Sequence, residues 1–165
     1  MTGPLTRYTP TQSALNTGNN YDILDSPGGV YDYLVLDDNG TFTWSPDRGV
    51  GAGDINSEGY FPNAEGINVY NGILNFVSKN EKMMFRLDLE QETWTKSSTN
   101  SGLFDGRPDQ LVRMFGNSEF LFFTEDSKQP ASVCGNDLHG RNMITGDYFT
   151  LVEAIDGTLR LLETS

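Results

Sequence analysis

Hairpins marked by Asn-Gly turns constrain this chain more than any other feature. Gly66-Ile-Asn-Val-Tyr70 and Ile73-Leu-Asn-Phe-Val77 flank Asn71-Gly72, the pair that best tolerates the two positive φ angles of a type I′ turn. Two further runs, Lys82-Met-Met-Phe-Arg-Leu-Asp-Leu89 and Glu92-Thr-Trp-Thr95, alternate apolar and polar residues, as strands with one buried face should. Four strands therefore run up and down between residues 66 and 95. Upstream, Tyr31–Leu36 and Thr41–Trp44 flank Asp37-Asp-Asn-Gly40 and predict a hairpin of the same kind.

The pattern recurs. Asp109-Gln-Leu-Val-Arg-Met-Phe115, a Gly116-Asn117 turn and Glu119-Phe-Leu-Phe-Phe-Thr124 copy the Asn71-Gly72 hairpin, and Phe149–Glu153 with Thr158–Leu162 around Asp156-Gly157 copy its outer pair. Glu65 and Asp109 open equivalent strands 109 − 65 = 44 residues apart, and Phe76 and Phe122 lie 122 − 76 = 46 apart. A four-stranded unit repeating at that spacing is the signature of a propeller blade. The expected fold is all-β: antiparallel four-stranded blades in a partial or small β-propeller. A β-sandwich or irregular antiparallel sheet is the alternative that hairpin spacing also allows. Only Glu81–Asp88 could pass as helical in isolation.

The expected organisation is a loosely ordered segment over residues 1–29, with a short strand at Tyr21–Leu24, and a propeller-like domain of about three blades over 30–165. Ser45–Asn63 reads as a long loop. Because a ring takes typically 4–8 blades, the expectation is a fragment of a longer parent.

Charge narrows the function classes. With 11 basic and 23 acidic side chains the net charge is 11 − 23 = −12, which argues against nucleic acid, whose phosphates would be repelled, and suits cations or plain solubility. No apolar run approaches the roughly 18 residues of a membrane span. The opening residues MTGPLTRYTPTQS contain no hydrophobic signal core, so no secretion address is expected in them. Exposed blade edges would permit self-association.

Three segments place a carboxylate beside a strand: Phe61-Pro-Asn-Ala-Glu65-Gly66, Gly106-Arg-Pro-Asp109-Gln110 and Phe123-Thr-Glu125-Asp126. The inner strands of propeller blades converge on a central channel, so Glu65 and Asp109 would reach its mouth and Glu125 would approach the same end. Converging oxygens suit a hard cation, calcium or magnesium, which would relieve the repulsion among them. Glu65, Glu125, Asp109 and Asp126 are thus the expected metal ligands, to be weighed against the ordinary role of turn carboxylates as solvated or capping groups. Arg107 and Arg141 could bind an anion at the mouth or pair with the acids.

Other residues say less. His139, the only histidine, has no serine or cysteine motif beside it and reads as a loop residue near the surface. Cys134 has no second cysteine at metal spacing, which argues against a zinc site. Asp37-Asp38-Asn39-Gly40 reads as a turn rather than a calcium loop, and Gly49–Gly53 lacks the lysine of a phosphate loop.

From about Thr41 to Val152 the sequence resembles the PhoX-type alkaline phosphatases and their uncharacterised relatives, which are β-propellers. The resemblance is carried by Phe61-Pro-Asn-Ala-Glu-Gly-Ile-Asn-Val-Tyr70, Leu103-Phe-Asp-Gly-Arg-Pro-Asp-Gln-Leu111 and Leu121-Phe-Phe-Thr-Glu-Asp126. It implies a secreted, extracellular or periplasmic phosphomonoester hydrolase with a carboxylate-held cluster of iron and calcium. Glu65 and Glu125 would match family ligands, and Asp109 stands at the family's Pro-Asp turn. The family's bridging cysteine lies upstream of the first glutamate, so Cys134 does not match it, and the remaining blades are absent. The resemblance therefore implies a phosphatase-like segment with an incomplete site, Arg107 or Arg141 steadying a phosphate ester. Two other functions compete: a non-catalytic, calcium-stabilised binding or structural β-module, and a lactonase-like propeller hydrolase with one channel cation.

Overall fold

The computed structural model describes the chain except residues 1–4, 25, 49–54, 57–60, 62, 105–106, 115–118, 127–136, 156–157 and 162–165, and only the backbone of 55–56, 154–155 and 158–161. Cys134, Gly49–Gly53 and the expected turns Gly116-Asn117 and Asp156-Gly157 lie outside the described residues. The protein is predominantly β, in three antiparallel sheets. No helix among the described residues is long and apolar enough to cross a membrane. The chain divides into two compact units, residues 2–61 and 62–165.

The first unit holds β1 (Thr6–Thr9), α1 (Gln12–Leu15), α2 (Asn20–Leu24), β2 (Val30–Leu36), β3 (Phe42–Ser45) and β4 (Ile55–Asn56). β2 is central: β1, β3 and β4 all pair with it. The β2–β3 hairpin forms where its sequence predicts one, but its turn differs from Asn71-Gly72: Gly40 is left-handed at φ 89° while Asn39 is not, and the Gly40 amide donates to the Asp37 carbonyl at 3.0 Å. Tyr21–Leu24, expected as a strand, is helical within α2. The reason is local: the Asn19 side chain accepts from the Tyr21 amide at 3.1 Å, a capping bond that starts a helix. β4 falls inside the expected loop Ser45–Asn63 and pairs with Val35 and Leu36.

The second unit holds two sheets, each in chain order. The first contains β5 (Ala64–Tyr70), β6 (Ile73–Ser78), β7 (Met83–Asp88) and β8 (Thr93–Ser98). Asn71 and Gly72 take φ 46° and 72°, the left-handed pair of a I′ turn. Lys82 and Glu92 close the two following hairpins in the same region, at φ 54° and 52°. Glu81–Asp88 is not helical, since Met83–Asp88 pairs on both sides.

The other sheet contains β9 (Pro108–Val112), β10 (Phe120–Glu125), β11 (Leu138–Asn142), β12 (Tyr148–Ile155) and β13 (Thr158–Leu161). It has five strands where the sequence repeat predicts four. The extra one is β11, which separates β10 from β12. Leu-His-Gly-Arg-Asn has little intrinsic β preference, and pairing on both sides overrides that. The Phe149 ring packs against the bare backbone at Gly140, where a Cβ would lie 2.3 Å from it and force the ring to shift.

β5 and β9 run side by side in the same direction. Gly66 lies against Gln110 and Leu111, and four residues on, the Tyr70 ring carries the Arg113 guanidinium at 4.9 Å. Behind this seam Val77, Met84, Leu111, Leu121, Phe123 and Phe104 form a common apolar core. On the opposite face of the first sheet, Phe76 stacks on Phe85 at 4.9 Å.

The seam sets a prediction. A Cβ on Gly66 would sit 2.3 Å from the Leu111 amide nitrogen, backbone that cannot rotate away, so Gly66→Ala must push β5 from β9, at a cost of about 2–3 kcal/mol. Gly72→Ala meets open space but keeps a positive φ, a loss of about 1 kcal/mol. Urea titration of both variants should show Gly66→Ala losing clearly more.

Candidate functional site

Three of the expected metal ligands do come together, around an ammonium that the sequence reading missed. Lys79 follows β6, its amide donating to the Asn63 carbonyl at 3.0 Å. Its side chain, 8 % exposed as a residue, reaches Asp126 in a hydrogen-bonded ion pair and lies 3.6 Å from Asp109. Glu65 acts on the same ammonium through its charge. Asp109 is on β9, Glu65 on β5, and Asp126 follows β10, its amide bonded to the Arg107 carbonyl at 3.1 Å. The β5–β9 seam is what gathers them.

Charge couples these groups. Burial alone pulls the Lys79 ammonium down, but the Asp126 hydrogen bond and the charges of Asp109, Asp126 and Glu65 outweigh it and hold the pKa above the ordinary 10.5. Asp126 is held below the ordinary 3.8, first by the hydrogen bond from Lys79, against some burial, and then by the charges of Lys79 and Arg107.

Glu125 belongs elsewhere. Successive strand residues point to opposite faces, so as Asp126 turns to Lys79, Glu125 turns into the sheet. It is 5 % exposed and its Oε2 lies 2.9 Å from His139 Nε2. His139 is not a surface loop residue: it sits on β11 at 1 % exposure. Its Nδ1 is 3.0 Å from Thr150 Oγ1, and Phe104 stacks on the ring at 4.3 Å. Asp137 Oδ2 lies 4.0 Å from the same Nε2. The usable signal was the Asp137-Leu-His139 spacing, which in a strand puts both side chains on one face.

The two arginines part as well. Arg107 remains beside Asp126 and bears on its charge. Arg141 pairs in the ladder with Leu121, four residues back along β10 from Glu125, or roughly 13 Å at the strand rise. Its Nη1 donates to Ser97 Oγ at 2.7 Å, its Nε to the Gly146 carbonyl at 3.3 Å, and its guanidinium covers the Tyr148 ring at 5.1 Å. Burial raises the Tyr148 phenol above the ordinary 10.0, against the lowering effect of Arg141 and Ser97.

Chemically, the first cluster is an ammonium shared among carboxylates, and the second offers one imidazole nitrogen and two carboxylates. Scanned against protein-family models and against curated proteins, the chain finds no match.

The ion network predicts a pH window. Asp126, with its depressed pKa, contributes stability above about pH 4 that is lost as acid protonates it. Lys79, with its raised pKa, contributes below about pH 10 and loses that as base removes its proton. The stability difference between wild type and Lys79→Gln, measured by chemical denaturation across pH, should be greatest between these limits and shrink on both sides.

Proposed function

We propose that the chain is a non-catalytic β-module of propeller type, in which Lys79 neutralises the inner-strand carboxylates that a metal ion would otherwise bridge. The sheets of the second unit are successive blades in this reading. What supports it is their up-and-down order and the parallel, close run of their first strands, β5 and β9, as neighbouring inner strands of a propeller would lie.

One observation carries the functional part: the Lys79 ammonium stands among Glu65, Asp109 and Asp126. An ammonium offsets carboxylate repulsion as a divalent cation does, but it has no coordination sites with which to polarise a phosphoryl oxygen or activate water. Glu125, needed on the same ion by a phosphatase, is hydrogen-bonded to His139. Arg141 is engaged by Ser97 and Tyr148 at the far end of the sheet. Phosphomonoester or lactone hydrolysis through Glu65 and Glu125 makes the opposite demand, a divalent ion in the wild-type mouth.

Lys79→Gln separates the readings. The substitution should cost about 1–2 kcal/mol, modest because Asp126 is half exposed. Millimolar calcium should then raise the melting temperature of Lys79→Gln by several degrees and leave wild type unchanged. Wild type should release no nitrophenol from its phosphate ester. Calcium stabilisation of wild type together with turnover, both lost in Glu65→Gln, would replace the module by the phosphatase.

A further inference from the structure

We infer that Glu125, Asp137 and His139 bind a divalent transition-metal ion of the zinc or manganese class. The site goes beyond the reading above and shares no ligand with the Lys79 cluster.

The backbone brings the three together. Thr124 pairs with Leu138, so Glu125 at the end of β10 opposes Asp137, just before β11, and stands diagonal to His139. The Glu125 amide donates to the Asp137 carbonyl at 3.0 Å. Asp137 and His139, two residues apart, share a face. Ligands fixed by a strand ladder are held more closely than ligands on a loop.

The geometry fits an ion. One ligand atom from each side chain lies within 4.8 Å of the others, with Nε2 2.9 Å from Glu125 Oε2 and 4.0 Å from Asp137 Oδ2. Metal–ligand bonds of about 2.0–2.2 Å keep ligand atoms roughly 3–4 Å apart, so small rotations would centre a cation.

All three side chains are shielded from water: Glu125, Asp137 and His139 are 5, 6 and 1 % exposed.

The surroundings complete a metal-type histidine. Nδ1 lies 3.0 Å from Thr150 Oγ1; with an ion on Nε2, Nδ1–H would donate to that oxygen, the outer bond that fixes tautomer and ring orientation in such sites. Phe104 covers the ring face. One imidazole with two carboxylates is not the all-oxygen set of calcium, nor the thiolate set of soft metals, and it suits zinc, manganese, cobalt or ferrous iron.

The test uses the whole chain, stripped with a chelator and then dialysed. Calorimetric titration with zinc should give a single equivalent at micromolar affinity or tighter, and cobalt should develop a visible d–d absorption that zinc abolishes. Asp137→Asn and His139→Gln should lose both signals. Thr150→Val, which keeps the ligands and a β-branched shape, should stay folded and weaken zinc by about 10–100-fold. Lys79→Gln should bind zinc as wild type does. Absence of zinc and cobalt binding to folded wild type would overturn the inference, as would binding that persists unchanged in folded Asp137→Asn and Thr150→Val. Neither result bears on calcium at the Lys79 cluster, so this inference and the module reading can fail separately.

Discussion

The second unit depends on the approach of two backbones. At Gly66 there is no side chain between β5 and β9, so the two sheets close on each other and seal Val77, Leu111, Leu121 and Phe123 behind them. The same approach forces acids into one place, because Glu65 and Asp109 lie one residue to the N-terminal side of the contact residues Gly66 and Gln110. Carboxylates so gathered would oppose the packing that gathered them. Lys79, anchored to the Asn63 carbonyl, reaches in from the next hairpin and removes the conflict.

Strand alternation then divides the acidic pair at the end of β10. Asp126 is half exposed and meets an ammonium, whereas Glu125 is buried and meets an imidazole. The distinction is physical. A lysine keeps its charge near the surface at any ordinary pH, so it suits the wetter position. An imidazole is planar and weakly basic, and it can stack on Phe104 in a position where an ammonium would be stranded from water. In a chain of net charge −12, the two neighbours thus find different partners because their depths differ.

What could be read in advance was what local chemistry decides. Asn71-Gly72 marks its turn unaided, and the alternation in Met83–Asp88 shows its strand, so the first sheet was legible strand by strand. The matched positions of Glu65 and Asp109 mark two acids that both act on Lys79. Lys79 was not legible, because a lysine in a hairpin loop looks like a solvated charge until the fold brings residues 30 and 47 positions away beside it. β11 was hidden for a related reason. Its residues are indifferent strand formers, and only β10 and β12 on either side, with Gly140 admitting the Phe149 ring, make Leu138–Asn142 extended. Without β11, His139 reads as a loop residue and the short Asp137-Leu-His139 spacing carries no meaning.

The two clusters also differ in what their order would depend on. An ammonium tethered to β6 cannot leave, so the β5–β9 seam carries its counter-ion wherever the protein goes. Its strength varies with pH and with salt, because Asp126 is half exposed. A metal between Glu125, Asp137 and His139 would instead come from solution, and its contribution would rise with the logarithm of its free concentration. That ion would tie the end of β10 to the start of β11, the strand with least preference of its own for the extended state. The weakest strand of the sheet is therefore the one to which an external ligand could add most.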